Sequence, residues 1–497
     1  RRVLFRSSEF KMEKFYTKFT KEYIQAEKER LKKKPKKSAK KNSQNNDIKL
    51  QNNVIFEEKN GKKSQNVDTK SQNNVNFGKK SAGKSQNNVI KIQNKFSVVE
   101  ALFKENKLDK KSQELLENFD RVVQGVRPLN SKQLQKLPEN IKALSHQLTD
   151  QRCDRRLGYM NESVQLSSYV RYYTWWNLVR LTKLFSNLPA ASFPNKECIC
   201  LDIGSGPLTL VISLWLSRPE LRNINLTWYC LDVSSNSMAL GEDVYLSIVA
   251  QTGGTPWKIV RVKGSFGTGT FIKEKADFIT CANMFNELDQ ASDMPPEFQS
   301  KKYYDQLCSY KNDDCKFLLI EPGVPKSART LCLLRDRFIK ENYDLIGPCS
   351  HCGECPMNGF KAYTGSQNKW CNFAFSTENA PAKLLKLSEN SKLTKDRATL
   401  IFISVVPEKT ASDFGEDSIS QDFAKEDNSL SVRIISDCMK LHNNSFANYG
   451  CSKIGLVLVS SKNEKAFKSG DLLKIECSQD IKKLPIDKKS GAKSVSL

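Results

Sequence analysis

Hydrophobic positions are sparse and unpatterned over the first 95 residues and regular thereafter. Between residues 97 and 150, apolar side chains recur at helical spacing: Leu102, Leu108, Leu115, Leu116 and Phe119, then Leu134, Leu137, Ile141 and Leu144, with Pro128 and Pro138 as breaks. That period predicts a helical preface. Residues 159–188 predict one long helix carrying Tyr172, Tyr173, Trp175, Trp176, Leu178, Leu181 and Phe185. Aromatic residues interleaved with leucine on one helix belong to a core more often than to a platform for stacked bases.

From Cys198 the period changes. Short, nearly continuous apolar runs at Cys198–Ile203, Leu226–Val233, Trp257–Val262, Asp277–Cys281 and Phe317–Ile320 alternate with amphipathic stretches. Strands that are apolar on both faces need cover on both sides, so the pattern predicts an α/β fold with a parallel sheet. Beyond Ala380, the segments Thr399–Val406, Val432–Ile435, Ile454–Val459 and Leu472–Ile475 are β-rich, interrupted by an acidic stretch near 411–428. The predicted organisation is an arm over 1–95, a helical region over 96–190, the α/β domain over 191–410, a small β module over 429–480 and a frayed basic tail over 481–497.

Charge sharpens the division. The 497 residues, enough for about three domains, carry 79 basic against 55 acidic residues, a net of +24. Residues 1–95 hold 26 of the basic and 9 of the acidic residues, a net of +17, which leaves +7 for the rest. A Ser-Gln-Asn unit recurs in this arm from Ser43, Ser64, Ser71 and Ser85. Such a segment buries too little apolar surface to offset its ordering entropy and is expected to be disordered, either as a solubilising tail or as a polycation that condenses on RNA. Arg1–Ser7 read as a translated sequencing-adapter tail ahead of a start near Met12. No apolar run approaches the roughly 18 residues of a membrane span, and no secretion signal is evident. The fifteen cysteines are therefore expected in a reducing compartment, as metal ligands or core thiols. That points to the cytoplasm, with the mitochondrial matrix as the alternative.

Leu201-Asp202-Ile203-Gly204-Ser205-Gly206-Pro207-Leu208 lies between a predicted strand and a predicted helix. Glycines at that junction admit a ligand close to the backbone, and the helix N-terminus favours negative character. Asp232 ends the next strand, where a carboxylate can accept both ribose hydroxyls of a nucleoside. Thr209 replaces the third glycine of a dinucleotide fingerprint, so the loop resembles that of class I S-adenosylmethionine methyltransferases, which have a Rossmann-like sheet. Asp202, Gly204, Gly206 and Asp232 are its expected cofactor residues. After the fourth strand, Asn283 and Glu287 either line this pocket or cap a helix. The Asn-Pro-Pro-aromatic loop of many base-amine methyltransferases is absent there, so no catalytic residue is assigned.

The densest local signal is Pro348-Cys349-Ser350-His351-Cys352-Gly353-Glu354-Cys355-Pro356, followed by Trp370-Cys371. Thiolates meeting at one centre suit zinc or an iron–sulfur cluster, and His351 is placed to ligate or hydrogen-bond a sulfur. Together with Leu318-Leu319-Ile320-Glu321-Pro322-Gly323, Ser327–Asp336 and Trp370-Cys371-Asn372-Phe373, this stretch resembles the methyltransferase-like family of small-ribosomal-subunit assembly factors of bacteria and mitochondria, from about Tyr159 to Cys477. The resemblance implies a class I methyltransferase domain, a [4Fe-4S] cluster and binding to the immature small subunit through its rRNA. The family's first two ligands, six positions apart with Pro after the second, match Cys349 and Cys355. Its third matches Cys371, and its last, in the β module, best matches Cys451, with Cys352 as the alternative fourth. On this reading the protein is an assembly factor, expected to be monomeric and free of membrane. Methyl transfer to rRNA or a ribosomal protein, a zinc site and a cluster-based sensor are the alternatives.

Overall fold

The computed structural model describes residues 94–104, 107–149, 158–268, 272–288, 294–357, 369–408, 428–441 and 444–497. The arm up to residue 93, most of the acidic stretch near 411–428, and His442 lie outside the described residues.

The preface begins as a strand. β1 (Lys95–Ala101) carries adjacent β-branched residues, Val98 and Val99, and pairs with a strand near the far end of the chain. The helices α1 (Lys110–Glu117), α2 (Phe119–Val126) and α3 (Ser131–Thr149) follow. Asp109 caps α1 by accepting a hydrogen bond from the Ser112 amide at 2.8 Å. Leu115, Leu116, Phe119, Ile141 and Leu144 are buried. The predicted aromatic helix is present in three parts: α4 (Ser163–Ser168), a wider π turn over Tyr169–Thr174, and α5 (Trp175–Phe185). Tyr172, Trp175, Leu178, Leu181 and Phe185 all point into the core. The π turn rotates Tyr169 and Tyr173 away from that face, and their rings stack with centroids 5.4 Å apart.

The α/β body then runs β2 (Cys198–Ile203), α6 (Thr209–Ser217), β3 (Leu226–Asp232), α7 (Ser235–Thr252), β4 (Lys258–Lys263), β5 (Ala276–Ala282), α8 (Phe285–Leu288), α9 (Pro296–Cys308), β6 (Lys311–Glu321), α10 (Pro325–Lys340), β7 (Tyr343–Gly347), β8 (Phe373–Ser376), α11 (Ala382–Asn390) and β9 (Arg397–Pro407). The sheet order is β4-β3-β2-β5-β6-β9-β7, with β8 on β9. Strands β2 to β6 are parallel and β9 runs antiparallel to both β6 and β7. This is a doubly wound, Rossmann-like sheet, and its parallel part is the one that the alternating apolar runs predict. Its strand order reverses at β2/β5, where open α/β sheets leave a crevice at their carboxyl ends.

The C-terminal module comprises β10 (Ser429–Ile434), β11 (Met439–Lys440), β12 (Phe446–Ser452), β13 (Gly455–Ser461), β14 (Asp471–Glu476) and β15 (Lys493–Ser496), in the order β1-β14-β10-β12-β13-β15. Two expectations are corrected here. β1, assigned to the helical region, completes this sheet through its pairing with β14. Residues 481–497, expected to fray, return as β15, which runs parallel to β13 and buries Val495. Both departures are long-range pairings that extend exposed sheet edges, which no local period encodes. Strand alternation sorts the sheet's two faces. Val432 and Ile434 enter the module's own core with Val457, Val459, Leu473 and Ile475, while the intervening Arg433 and its register partner Cys451 face the α/β body.

Candidate cofactor cleft and cysteine cavity

The loop after β2 takes left-handed conformations at Gly204 (φ 70°) and Gly206 (φ 50°), and also at Leu208 (φ 53°), which opens α6. A Cβ on Gly204 would stand 2.9 Å from Met284 Cγ. A Cβ on Gly241 of α7 would stand 2.3 Å from the Pro207 carbonyl carbon, so α7 packs directly on the loop backbone. Asp232 holds the loop from the next strand: its carboxylate accepts from the Gly206 amide at 2.9 Å and the Ser234 amide at 2.8 Å. Burial pushes the Asp232 pKa up, and these amides pull it back. Asp202 lies deeper, accepting from Thr280 Oγ1 on β5 at 2.7 Å. Burial pushes its pKa to about 7 against the Thr280 and Ser205 hydrogen bonds. Asp202 thus supports the strands beneath the loop, while Asp232 stands at the loop itself.

The preface closes over this end of the sheet. Ser234 Oγ lies 2.8 Å from Asn161 Oδ1, and Ser237 Oγ 3.6 Å from the Met160 sulfur. Asn283, at φ 63°, follows β5, and its Oδ1 accepts from Arg180 Nη2 at 3.0 Å. Arg180 also donates to Asn177 Oδ1 and the Thr399 carbonyl, both at 2.9 Å. Tyr169 lies in the field of Glu287 and Asp232; burial first, then these charges, raises its pKa. α8 is capped by Glu321, whose oxygens accept from the Phe285 amide at 2.8 Å and the Asn286 amide at 3.0 Å. Asp202, Gly204, Gly206 and Asp232, together with Asn283, therefore gather at the carboxyl ends of β2, β3 and β5. Arg180 and Tyr169 join them from a helix that sequence periodicity assigns wholly to the core.

Cys349, Cys355, Cys371 and Cys451 line one cavity with Cys332, Arg335 and Arg433, closed by Phe373, Phe402 and Ile435 among others. Cys352 is not among the lining residues. Among the described residues, no three His, Cys, Asp or Glu side chains converge tightly enough to hold a single metal ion. Burial raises the pKa of the Cys349, Cys371 and Cys451 thiols, whereas a hydrogen bond with Cys332 lowers that of Cys355. Two buried guanidiniums flank the thiols. Arg335 donates to the Gly353 carbonyl at 2.7 Å and to the His351 carbonyl. Burial opposes its charge, but Cys349, Cys355 and Asp336 outweigh burial and raise its pKa. Arg433 reaches out of the module to the Pro348 carbonyl at 2.7 Å and is held within it by the Gly470 carbonyl at 2.8 Å and Glu100 Oε2 at 2.7 Å. His351, pushed down to about 4 by burial and then by Arg335, is neutral, and its Nε2 lies 3.1 Å from Cys451 Sγ.

Residues 189–401 match the family profile described as mitochondrial small ribosomal subunit Rsm22. No curated protein matches the sequence. Among solved structures, the chain is similar to a precorrin-6y C5,15-methyltransferase from Geobacter metallireducens (11% identity, 46% of this chain and 87% of that one, TM-score 0.27). It is also similar to a SAM-dependent methyltransferase from Geobacter sulfurreducens in complex with S-adenosyl-L-homocysteine (13% identity, 46% and 90%, TM-score 0.27). Among the described residues no helix is long and apolar enough to cross a membrane.

The segment matching Rsm22 contains the glycine loop, Asp232, Asn283 and four of the five cavity cysteines, and ends before Cys451. Within it, motifs that are separate in sequence meet in space. Trp370 Nε1 donates to the Gly323 carbonyl at 3.2 Å, and a Cβ on Gly323 would stand 2.0 Å from Asn372 Oδ1. The glycine ending Glu321-Pro322-Gly323 is thus what admits Trp370-Cys371-Asn372 beside β6. Cys332, absent from the predicted ligands, carries a signal only in the fold: it sits on α10 within a helical pattern, where a lone cysteine reads as core.

Proposed function

We propose that this protein is an assembly factor of the small ribosomal subunit that binds subunit rRNA, holds S-adenosylmethionine over the glycine loop and carries a [4Fe-4S] cluster in the cysteine cavity. The observation that carries the reading is the coincidence of the Rsm22 match over 189–401 with five thiols from distant stretches around one cavity. The donor set fits a cluster. Zinc at about 2.3 Å needs its sulfurs roughly 3.8 Å apart, whereas these thiols surround a space instead of meeting at a point. Arg335 and Arg433 supply the buried positive charge that thiolates in a dry site require.

When bound, the cluster supplies a covalent tie rather than a reaction step. Its ligands from Cys349 to Cys371 belong to the body and Cys451 to the module, so metal binding becomes folding energy for their junction. Ser350 Oγ, donating to the Cys451 carbonyl at 3.0 Å, and Lys369, 4.5 Å from the Tyr449 ring centroid, already hold that junction. S-adenosylmethionine, when bound, supplies an electrophilic methyl group; Asp232 would accept its ribose hydroxyls, and Gly204 and Gly206 would admit its backbone approach. That Asn283 Oδ1 is engaged by Arg180 supports cofactor binding without base-amine methylation. Methyl transfer to another acceptor is the second reading, favoured by Tyr169 beside Asp232 and Glu287. The family description favours the mitochondrial matrix over a bacterial cytoplasm.

Anaerobic purification with joint iron, zinc and nucleoside analysis tests the cofactors: iron at cluster stoichiometry with bound S-adenosylmethionine is expected, and colourless metal-free protein overturns the cluster. Pull-down at low and high salt tests the partner, and failure to enrich small-subunit RNA at either overturns the assembly role. Labelled methyl transfer to immature subunits, equal in the parent and Asp232→Ala, would remove the glycine-loop site from any chemistry.

A further inference from the structure

Outside the arm, the positive charge is concentrated in one place. Residues 429–497 hold 12 basic and 6 acidic residues, a net of +6, while the 333 residues from 96 to 428 are balanced to within +1. Eleven of the twelve are lysines: Lys440, Lys453, Lys462, Lys465, Lys468, Lys474, Lys482, Lys483, Lys488 and Lys489 are exposed, and Lys493 is half-buried. Among the described residues none of them is ion-paired. The twelfth, Arg433, is spent inward on the cysteine cavity.

The fold gathers seven of these lysines, those of the β13–β14 and β14–β15 connections, on one side. Ala466 and Phe467 from the β13–β14 connection, and Ile481 and Leu484 from the β14–β15 connection, all pack on the module core formed by Val432, Ile434, Val457 and Leu473. Both lysine-bearing connections therefore cover the same sheet face. That face is opposite the one presenting Arg433 and Cys451 to the body, because strand residues alternate. Asn94, the first described residue, is tied to this module: its Nδ2 donates to the Ser496 carbonyl at 2.8 Å, and its Oδ1 accepts from the Ser478 amide at 2.8 Å.

We propose that the lysine-covered outer face of the C-terminal β module is the phosphate-binding surface of the folded body, engaging the sugar–phosphate backbone of RNA. The proposal rests on the rRNA-binding reading above and assigns it a surface. Unpaired lysines on two loops suit phosphates without base readout, because a lysine ammonium is a point charge and not a bidentate fork. One sheet thus serves two ends: its inner face takes part in the cysteine cavity and its outer face grips polyanion.

The test uses the full chain and a labelled RNA hairpin, with affinity measured across salt concentrations. Lys465→Gln, Lys482→Gln, Lys483→Gln and Lys489→Gln are combined, with Lys301→Gln/Lys302→Gln on α9 as the control and circular dichroism to verify folding. The module variant is expected to bind roughly tenfold or more weakly, with the slope of log affinity against log salt shallower by about three, since each phosphate contact contributes roughly 0.7 to 0.9. The α9 control is expected to match the parent. If the parent fails to bind RNA, the rRNA reading and this proposal fall together. If the parent binds and the module variant keeps its affinity and slope, only this proposal is overturned. Loss of binding to phosphatidylserine vesicles with RNA binding intact would reassign the face to a lipid surface and overturn it as well.

Discussion

The glycine-loop cleft and the cysteine cavity sit on the same sheet but are built in opposite ways. In the cleft, the loop's backbone groups are already satisfied: Gly204 and Ser205 amides donate to the Leu231 carbonyl and the Gly206 amide to Asp232. It is a local structure, made from two adjacent strands and their connections, and it holds its shape without a ligand. The cavity draws thiols from α10, from the loop between β7 and β8, and from β12 of a second sheet. Its two buried guanidiniums are held by the Gly353, His351, Pro348 and Gly470 carbonyls and by Asp336 and Glu100, so the buried thiols are the groups a metal centre would engage. On the proposed reading, a site of the first kind would keep its shape when empty, whereas one of the second kind would gain stability from the centre that fills it.

That contrast can be broken most strongly at Cys451. Cys451→Ala is expected to abolish iron binding and to loosen the module, read as loss of the cluster spectrum and faster amide exchange across β10–β15. Full iron retention would move the fourth ligand elsewhere, with Cys352 and Cys332 as the candidates. Arg433→Met comes next. It removes the guanidinium that joins Pro348, Gly470 and Glu100 and strands the Glu100 carboxylate, so a loss of about 3 kcal/mol is expected in denaturant unfolding. Unchanged stability would mean that the module's hold on the body does not pass through this residue.

On the cleft side, Gly241→Ala forces a methyl against the Pro207 backbone. A destabilisation of about 1–3 kcal/mol is expected, with weakened S-adenosylmethionine binding by calorimetry and iron content unchanged. Loss of iron as well would show the two sites to be coupled rather than separately built. The last test on the cleft side is at Asp202. Its pKa rises from 3.8 unfolded to about 7 in the fold, so the folded state keeps a proton that the unfolded chain releases. Stability attributable to this group falls as pH climbs between about 4 and 7 and is level above that. Asp202→Asn is expected to flatten this part of the stability profile; an unaltered profile would show that Asp202 ionises normally.

The α/β body was legible because its signals are local. Apolar runs such as Cys198–Ile203 and Leu226–Val233 mark strands buried on both faces, and the glycine loop falls at the one junction where the sheet reverses. Spacing alone gathered Cys349, Cys352, Cys355 and Cys371, the resemblance put Cys451 in place of Cys352, and Cys332 belonged to neither reading. The strand at 95–101 and the return of 493–496 escaped notice because a short segment with one alternating face pairs wherever an edge is open.

The linear order of residues by itself determined the segregation of charge, the parallel sheet and the positions of glycine and acid at its crevice, since each follows from periods of two to four residues or from simple counting. Tertiary structure alone decided that Cys332 shares a cavity with Cys451, that Arg433 turns inward while the neighbouring lysines stay outside, and that Gly323 makes room for Asn372. Those outcomes depend on which faces of two sheets meet, and such contacts between distant stretches leave no periodic trace along the chain.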